Sequence, residues 1–452
     1  MDSKAKPLDV VIIGGSLAGL MCGVALKHRG HNITILERDG DERQSHMAGV
    51  CLGPDAVRYL ELHDRLSSKP FSHRSTRVQA LRSNGTIDIL ANGRREITSW
   101  DTYYFRLRSL FDGYSSSYYP EPPESLSTAD GTARYLSRNM VTNIERDIAT
   151  DKMAITVLNP NTQKTSTHQA DLVIGADGPN SFVRSKYLPT IHRQYAGYIA
   201  WRGTVLESTV SPSTRNAFRR SVSVHMMLGH TGQQEHCIVY AIPGPDGSLA
   251  PGERYLNFLW YTNETPAALD EILLDGIDGH RHHNIVPSGR VRKDLWEGKV
   301  HEAREIPLPE AFLEVVTKIE KPFVQVITEF YAPEAVFEGG RVLLVGDALC
   351  LFRPHTAFSG TQAAFHALRV EEYVAGEIGL GEWEGRVLRY SWLHWMQSIW
   401  WGAYYQCKLP VAAAAAVRYW VYCGVESVRC WWRGEEGLLR TGTFAVERYE
   451  DE

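Results

Sequence analysis

Long apolar runs are missing from this sequence. A membrane-crossing helix needs about 18 or more consecutive apolar residues. The nearest approach starts at Val411 and is interrupted by Arg418, Glu426 and Arg429, so it reads as a packed terminal helix. The polar start from Met1 to Leu8 and the short apolar run Val10 to Ile13 do not make a secretory leader. Cysteine is sparse: seven residues between Cys22 and Cys430, an odd number without a C-x-x-C pair. These read as reduced thiols of a cytoplasmic protein, not as a disulfide framework. An excess of charge is lacking too. A net charge of -5 offers no basic face for nucleic acid. Metal-ligand spacing is absent around the run His280-Arg281-His282-His283. Adjacent histidines point in different directions, so a polar loop is expected there and no metal. Ser16 sits among glycines but lacks the G-x-S-x-G setting of a hydrolase nucleophile. No repeat of fixed period is present.

What remains is an ordinary globular composition, 43% hydrophobic and 22% charged. With 452 residues the chain can build two or three lobes with substantial cores. The first motif opens the sequence. Val10-Val11-Ile12-Ile13 is a β-branched run suited to a strand buried on both faces. It leads into Gly14-Gly15-Ser16-Leu17-Ala18-Gly19, then a helical pattern ending near Gly30, then a second strand, Ile33 to Leu36. Gly14 allows the tight turn, Ser16 is small enough for a pyrophosphate to approach, and Gly19 lets helix and strand pack closely. The phosphates would sit on the helix N-terminus, where free N–H groups and the dipole favour anions. Glu37 lies 18 residues past Gly19, where a carboxylate would accept from a ribose hydroxyl. Strand, glycines, helix, strand and acid in this order predict a Rossmann-like α/β dinucleotide site.

Two later segments narrow the ligand. Leu172 to Ile174 runs into Gly175-Ala176-Asp177-Gly178, followed by Ser181 and Arg184. The strand Val342 to Val345 runs into Gly346-Asp347-Ala348 and on to Arg353-Pro354-His355-Thr356-Ala357. With the first motif, these resemble the three fingerprints of the single-component FAD-dependent aromatic hydroxylases, from Val10 to about Ala367. Tyr195 to Gly203, Trp100-Asp101 with Leu107-Arg108, Tyr255 to Tyr261 and the segment from Arg353 are similar to the 2,6-dihydroxypyridine hydroxylase-like branch. The W-x-W-x-I-P pattern of flavin halogenases is absent. Three positions depart from the family: Leu349-Cys350 replaces the usual residues after G-D-A, Ser359-Gly360-Thr361 replaces a G-x-G, and His366 replaces an aspartate.

The resemblance implies a fold and a chemistry. The fold is α/β: a Rossmann-like FAD-binding domain from residues 1–189 and 334–400, an inserted β-rich substrate domain at 190–333, and a helical C-terminal segment at 401–452. NAD(P)H reduces the FAD, reduced flavin and molecular oxygen give a flavin hydroperoxide, and an electron-rich aromatic or heteroaromatic small molecule is hydroxylated or epoxidised. The cofactor residues it implies are Gly14, Gly15, Ser16, Leu17, Ala18, Gly19, Glu37, Arg38, Asp177, Asp347, Pro354, Ala357 and Gly360. Arg108 is read as a fork for the pyrophosphate. His355 is the candidate base or orienting group. Trp201, Tyr240 and Trp260, with His355, are expected to line the substrate pocket. Trp392, Trp395, Trp400, Trp401, Tyr404 and Tyr405 fall at near-helical spacing and read as core or subunit packing, which keeps a homodimer among the expected partners. Two other readings stay open: an FAD-dependent oxidase or cyclase of secondary metabolism, and a non-enzymatic FAD-binding protein.

Overall fold

A computed structural model describes residues 6–40, 48–66, 69–123, 129–229, 232–406 and 408–434. Among these, the opening motif folds as the sequence predicts. The strand Asp9–Ile13 lies in the middle of a six-stranded sheet, between Leu172–Gly175 and Asn32–Leu36, all parallel. Val342–Leu344 continues the sheet in parallel beyond Leu172–Gly175, and Ala133–Leu136 extends the other edge. Ile12, Ile35, Ile174 and Leu343 are fully buried, as expected for parallel strands covered on both faces. The helix Leu17–His28 packs on this sheet and against the helices Trp100–Asp112 and Ser359–Val374. The two strand ends that carry the second and third glycine–aspartate turns therefore sit beside the first turn. This is the arrangement that positions the site. The fold is an α/β FAD-binding fold.

A second sheet, of ten strands, is largely antiparallel. Within it Gln194–Leu206 lies between Tyr255–Asn263 and Phe323–Tyr331. Three of its strands come from earlier in the chain: Gly49–Leu52, His73–Leu81 and Ile87–Ser99. Side chains alternate between faces along each strand. One face packs Trp201, Phe258 and Trp260 into a core closed by the helices Lys293–Glu305 and Glu310–Thr317. The other face carries Tyr198, Ala200, Leu259 and Tyr261. A two-residue strand, Cys350–Leu351, pairs with the end of Phe323–Tyr331 and ties the chain after Asp347 to this sheet.

A third sheet of three strands, Met140–Asp147, Lys152–Leu158 and Thr165–Ala170, shares its core with the first and packs against Asp9–Ile13 and Leu172–Gly175. The helix Leu380–Tyr405 runs without interruption through residue 401, so a boundary at residue 400 falls inside it. It packs on Ser359–Val374 and on the helix Leu409–Arg433. Residues 435–452, the rest of the expected C-terminal segment, lie outside the described residues. No described helix is long and apolar enough to cross a membrane.

Candidate active site

The first turn is built by close backbone approach. Gly14 has φ +101°, and a Cβ there would stand 2.4 Å from the carbonyl oxygen of Ala176. The first and second fingerprints are thus in direct contact. Ser16 is the N-cap of Leu17–His28 and makes no capping bond with its side chain. Glu37 ends the second strand and is buried. Its Oε2 accepts from the Gly15 amide at 2.8 Å and its Oε1 from the Asp39 amide at 3.0 Å. Glu37 thus shapes the loop from the end of the second strand.

The second turn is a brace. Asp177 accepts from the Ser181 hydroxyl at 2.5 Å and from the amides of Phe182 and Val183 at 2.7 and 3.2 Å. Its oxygens are committed to the N-terminus of the helix Phe182–Tyr187, where backbone N–H groups need acceptors. From that helix Arg184 donates to the carbonyl of Ala348 at 2.9 Å, linking the second turn to the third.

The third turn presents its aspartate. Gly346 has φ +59°, and a Cβ on it would meet the Cβ of Ala18 at 2.7 Å. His366 accepts the Gly346 amide hydrogen on Nδ1 at 2.9 Å, so its Nε2 carries the proton and donates to Ser391 Oγ at 3.2 Å. The family departure at His366 thus supports the turn from behind, away from the cavity. Leu349 and Cys350 likewise point into the core, both fully buried. Asp347 Oδ1 is buried without a hydrogen-bond partner. Burial pushes the Asp347 carboxyl up to about 6, against the pull of Arg193 and Ser359. An orphaned buried acceptor at this place fits a ligand hydroxyl, as FAD would supply.

This raised pKa makes a measurable prediction for the flavin-free protein. A carboxyl at 3.8 when unfolded and about 6 when folded holds its proton more tightly in the folded state. Its contribution is present below pH 4 and is lost as pH rises to about 6, amounting to roughly 3 kcal/mol at about 1.4 kcal/mol per unit. Chemical denaturation of flavin-free wild type and Asp347→Asn across that range should show the extra slope in wild type alone. An identical slope in both would remove Asp347 as its source.

Asp347, Pro354, His355, Ala357 and Gly360 line one side of a cavity of about 1850 Å³. The opposite side is the inner face of the ten-stranded sheet, including Arg202, Tyr240 and Tyr261, and Trp401, Tyr404 and Tyr405 close one end. Single small-molecule sites run to roughly 300–1,000 Å³, so the space takes a flavin ring and a second planar molecule together. Residues 14–19 do not line it; they join it through the contact of Ala18 with Gly346. The phosphate loop, the Asp347 acceptor and the adjoining slot together fit an FAD molecule.

His355 stands where the two sides meet. Its Nε2 is 2.9 Å from the Tyr198 hydroxyl, and its Nδ1 is buried without a partner. Tyr261, Tyr405 and His236 surround it, with ring centroids at 4.8, 5.4 and 5.3 Å. Burial, with His236 and Arg353 adding, holds its pKa well below the ordinary imidazole value. It is a neutral hydrogen-bonding group at neutral pH.

The structure corrects several expectations. Trp201 and Trp260 do not reach the cavity. They pair across two strands on the opposite face, where Trp201 donates to Thr262 and Trp260 to Glu235. Their neighbours Arg202, Leu259 and Tyr261 are the cavity residues, one step out of phase. Tyr240 does line the cavity. Arg108 is drawn to Asp112, one helical turn on, at 2.9 Å, and lies 3.6 Å over the Tyr135 ring, outside the cavity lining. Tyr135 in turn donates to the Gly15 carbonyl at 3.1 Å, so Arg108 backs the loop through an aromatic ring. Arg38 is 65% exposed and pairs with Asp39. Sequence reasoning missed Trp401, Tyr404 and Tyr405 as cavity residues; their i, i+4 spacing marked a helix face but not what it faces.

Comparisons with known proteins agree with this geometry. A family described as FAD binding domain matches residues 9–59, and one described as FAD binding domain-like matches residues 195–329. The 2,6-dihydroxypyridine 3-monooxygenase of Paenarthrobacter nicotinovorans is 28% identical over 392 residues, covering 84% of this chain and 87% of that protein. Kynurenine 3-monooxygenase of Salinispora arenicola is 25% identical over 364 residues, 75% of this chain and 66% of that protein. The solved structure of 2,6-dihydroxypyridine-3-hydroxylase from Arthrobacter nicotinovorans superposes with a TM-score of 0.71 at 25% identity, covering 86% of this chain and 90% of the other.

Proposed function

We propose that the chain is an FAD-dependent aromatic hydroxylase, similar to the 2,6-dihydroxypyridine hydroxylases, that uses NAD(P)H and dioxygen to hydroxylate or epoxidise an electron-rich aromatic or heteroaromatic small molecule. The observation that carries this reading is the single cavity holding Asp347 and His355 on one wall and the aromatic face of the ten-stranded sheet on the other. When bound, FAD supplies electron transfer from the nicotinamide and activation of dioxygen. The chain's residues do the rest. The Gly14–Gly19 turn receives the pyrophosphate on a helix N-terminus. Asp347 accepts a hydroxyl of the ribityl chain. Pro354, Ala357 and Gly360 border the ring slot, and the Ser359–Val374 helix begins there, its N-terminus favouring negative charge.

His355 positions the substrate. Its Nδ1 is the free polar atom at the junction, and Tyr198 fixes the ring from the other side. A neutral imidazole held this way donates to or accepts from a substrate hydroxyl and sets which ring carbon meets the flavin. Tyr240, Tyr261 and Tyr405 keep water from that space and offer faces to a planar ligand.

The reading is tested by anaerobic stopped-flow reduction of the bound flavin with NADH and NADPH across phenols, indoles and hydroxypyridines. A compound should accelerate reduction, and labelled dioxygen should then place one oxygen atom in its product. Flavin that resists both nicotinamides with every compound, or product free of label, overturns it. His355→Ala should keep its flavin while product formed per nicotinamide consumed falls several-fold, because the substrate ring loses its orienting contact. Because His355 is already neutral, wild-type turnover should show no rising limb near the ordinary imidazole pKa; such a limb, lost in His355→Ala, would make it a titrating base instead.

A further inference from the structure

Among the described residues, Arg202 is a buried cation of the cavity with no partner of opposite sign. Arg202 is 8% exposed and lines the cavity from the same strand face as Tyr198, four residues away. Its Nη1 donates to Gln325 Oε1 at 2.8 Å, and its guanidinium lies 4.9 Å over the Phe323 ring. Its Nε is buried with no acceptor. No carboxylate pairs with it among the described residues. Arg353, equally buried, differs: both its Nε and Nη2 are met by Glu329 at 2.7 and 2.9 Å. A guanidinium cannot lose its proton to escape burial. An unpaired buried cation is costly, and a neutral amide with one ring offsets only part of that. In a ligand cavity the missing anion arrives with the ligand.

The neighbours say which anion. An arginine only donates, so the Gln325 atom facing it is the carbonyl oxygen, which leaves the Gln325 amide nitrogen as a second donor beside the guanidinium. Gln325 lines the same cavity. A planar fork with an amide beside it matches the two oxygens of a carboxylate. The positive field of Arg202 reaches Tyr240 and Tyr261, lowering both phenols against the larger effect of burial. The cofactor's pyrophosphate does not meet this need, because the turn that receives it lies outside the cavity lining.

We propose that Arg202 and Gln325 form a carboxylate subsite, so that the substrate is an aromatic or heteroaromatic acid whose ring lies toward His355 and whose carboxylate lies toward Arg202. His355 is held by Tyr198, which stands on the same strand face as Arg202 and four residues from it. The acid group is therefore held away from the reacting carbon and fixes the orientation of the ring. This rests on the monooxygenase reading above and deepens it.

The test uses the flavin-loaded protein and matched pairs: 6-hydroxynicotinic acid with its carboxamide, and salicylate with salicylamide. Binding is read from the flavin absorbance change and from thermal shift. At least one acid should bind roughly tenfold or more tightly than its amide, the scale of a charge-assisted bidentate contact. Arg202→Gln should erase the preference with flavin content retained, Arg202→Lys should keep part of it, and Gln325→Leu should weaken it. The proposal falls if neither acid is preferred, including the case where no compound binds, or if the preference survives Arg202→Gln. It falls as well if Arg202→Gln sheds the flavin, which would assign the guanidinium to the cofactor. Nicotinamide reduction is run in parallel. Flavin that is never reduced refutes the monooxygenase reading, whereas an acid preference lost with Arg202→Gln still supports the subsite.

Discussion

Gly14→Val should yield protein without flavin. Two independent costs fall on this position. The backbone sits at φ +101°, a region that costs a side-chain-bearing residue of order 1–3 kcal/mol. In addition, the new Cβ would stand 2.4 Å from the Ala176 carbonyl oxygen and 2.7 Å from the Asp177 Cα, both backbone atoms of a buried strand end. Relief requires moving the turn that leads into Leu17–His28, the turn proposed to receive the phosphates. The strands below it, with Ile12 and Ile174 fully buried, should hold. The expected purified protein is folded, by circular dichroism, and colourless. Gly113→Val provides the control: Gly113 has φ +71° as the C-cap of Trp100–Asp112, but a Cβ there meets nothing nearer than 4.0 Å. It should cost some stability and keep its colour. Yellow Gly14→Val protein with normal FAD affinity would refute the phosphate-loop assignment.

Glu329→Ala should be among the most destabilising single changes in the chain. Arg353 and Glu329 are paired twice, at 2.7 and 2.9 Å, with about a tenth of each side chain exposed. Removing one partner leaves a buried guanidinium with no counter-charge beside Tyr198, 5.9 Å from that ring. Such a change costs about 3–5 kcal/mol. At roughly 2 °C per kcal/mol for a chain of this size, thermal unfolding of the flavin-loaded protein should shift down by on the order of 6–10 °C. Replacing both partners, Glu329→Leu with Arg353→Met, should recover most of the loss because no charge is stranded. A loss near zero for Glu329→Ala would mean that water reaches the pair. The same pair anchors Pro354 and His355 to the ten-stranded sheet, so Glu329→Ala should also lower product formed per nicotinamide consumed.

Much of the fold was legible because its signals are local. A β-branched run, a glycine turn, a helix and an acid follow one another within thirty residues, and each demand of the turn is met by the residue at that place. Asp347 was marked only through the resemblance of Gly346-Asp347-Ala348 to a family fingerprint. The roles of Asp177 and Arg108 were less so. Both have the right chemistry for a cofactor, but Asp177 is consumed by amides of the helix beginning five residues later, and Arg108 by Asp112 and Tyr135. A sequence shows that a side chain can bond, not which partner reaches it first.

The strand Gln194–Leu206 shows where reading stops. Trp201 and Arg202 are adjacent, and by composition the tryptophan suits an aromatic pocket while the arginine suits the surface. The structure reverses them. Both faces of this strand are buried, so alternation of apolar and polar residues, which would fix the phase, is missing. Only pairing with Tyr255–Asn263 and Phe323–Tyr331 sets the phase, and it turns Arg202 to the cavity and Trp201 to the opposite core. The sequence by itself determined the α/β core and the three glycine turns at its strand ends, since turn geometry and helix N-termini are set by neighbours along the chain. The tertiary structure alone decided which face of the second sheet meets the ligand, brought Tyr405 to His355 across fifty residues, and left Arg202 without a counter-charge. Those outcomes depend on long-range packing, where burial selects among side chains that are locally equivalent.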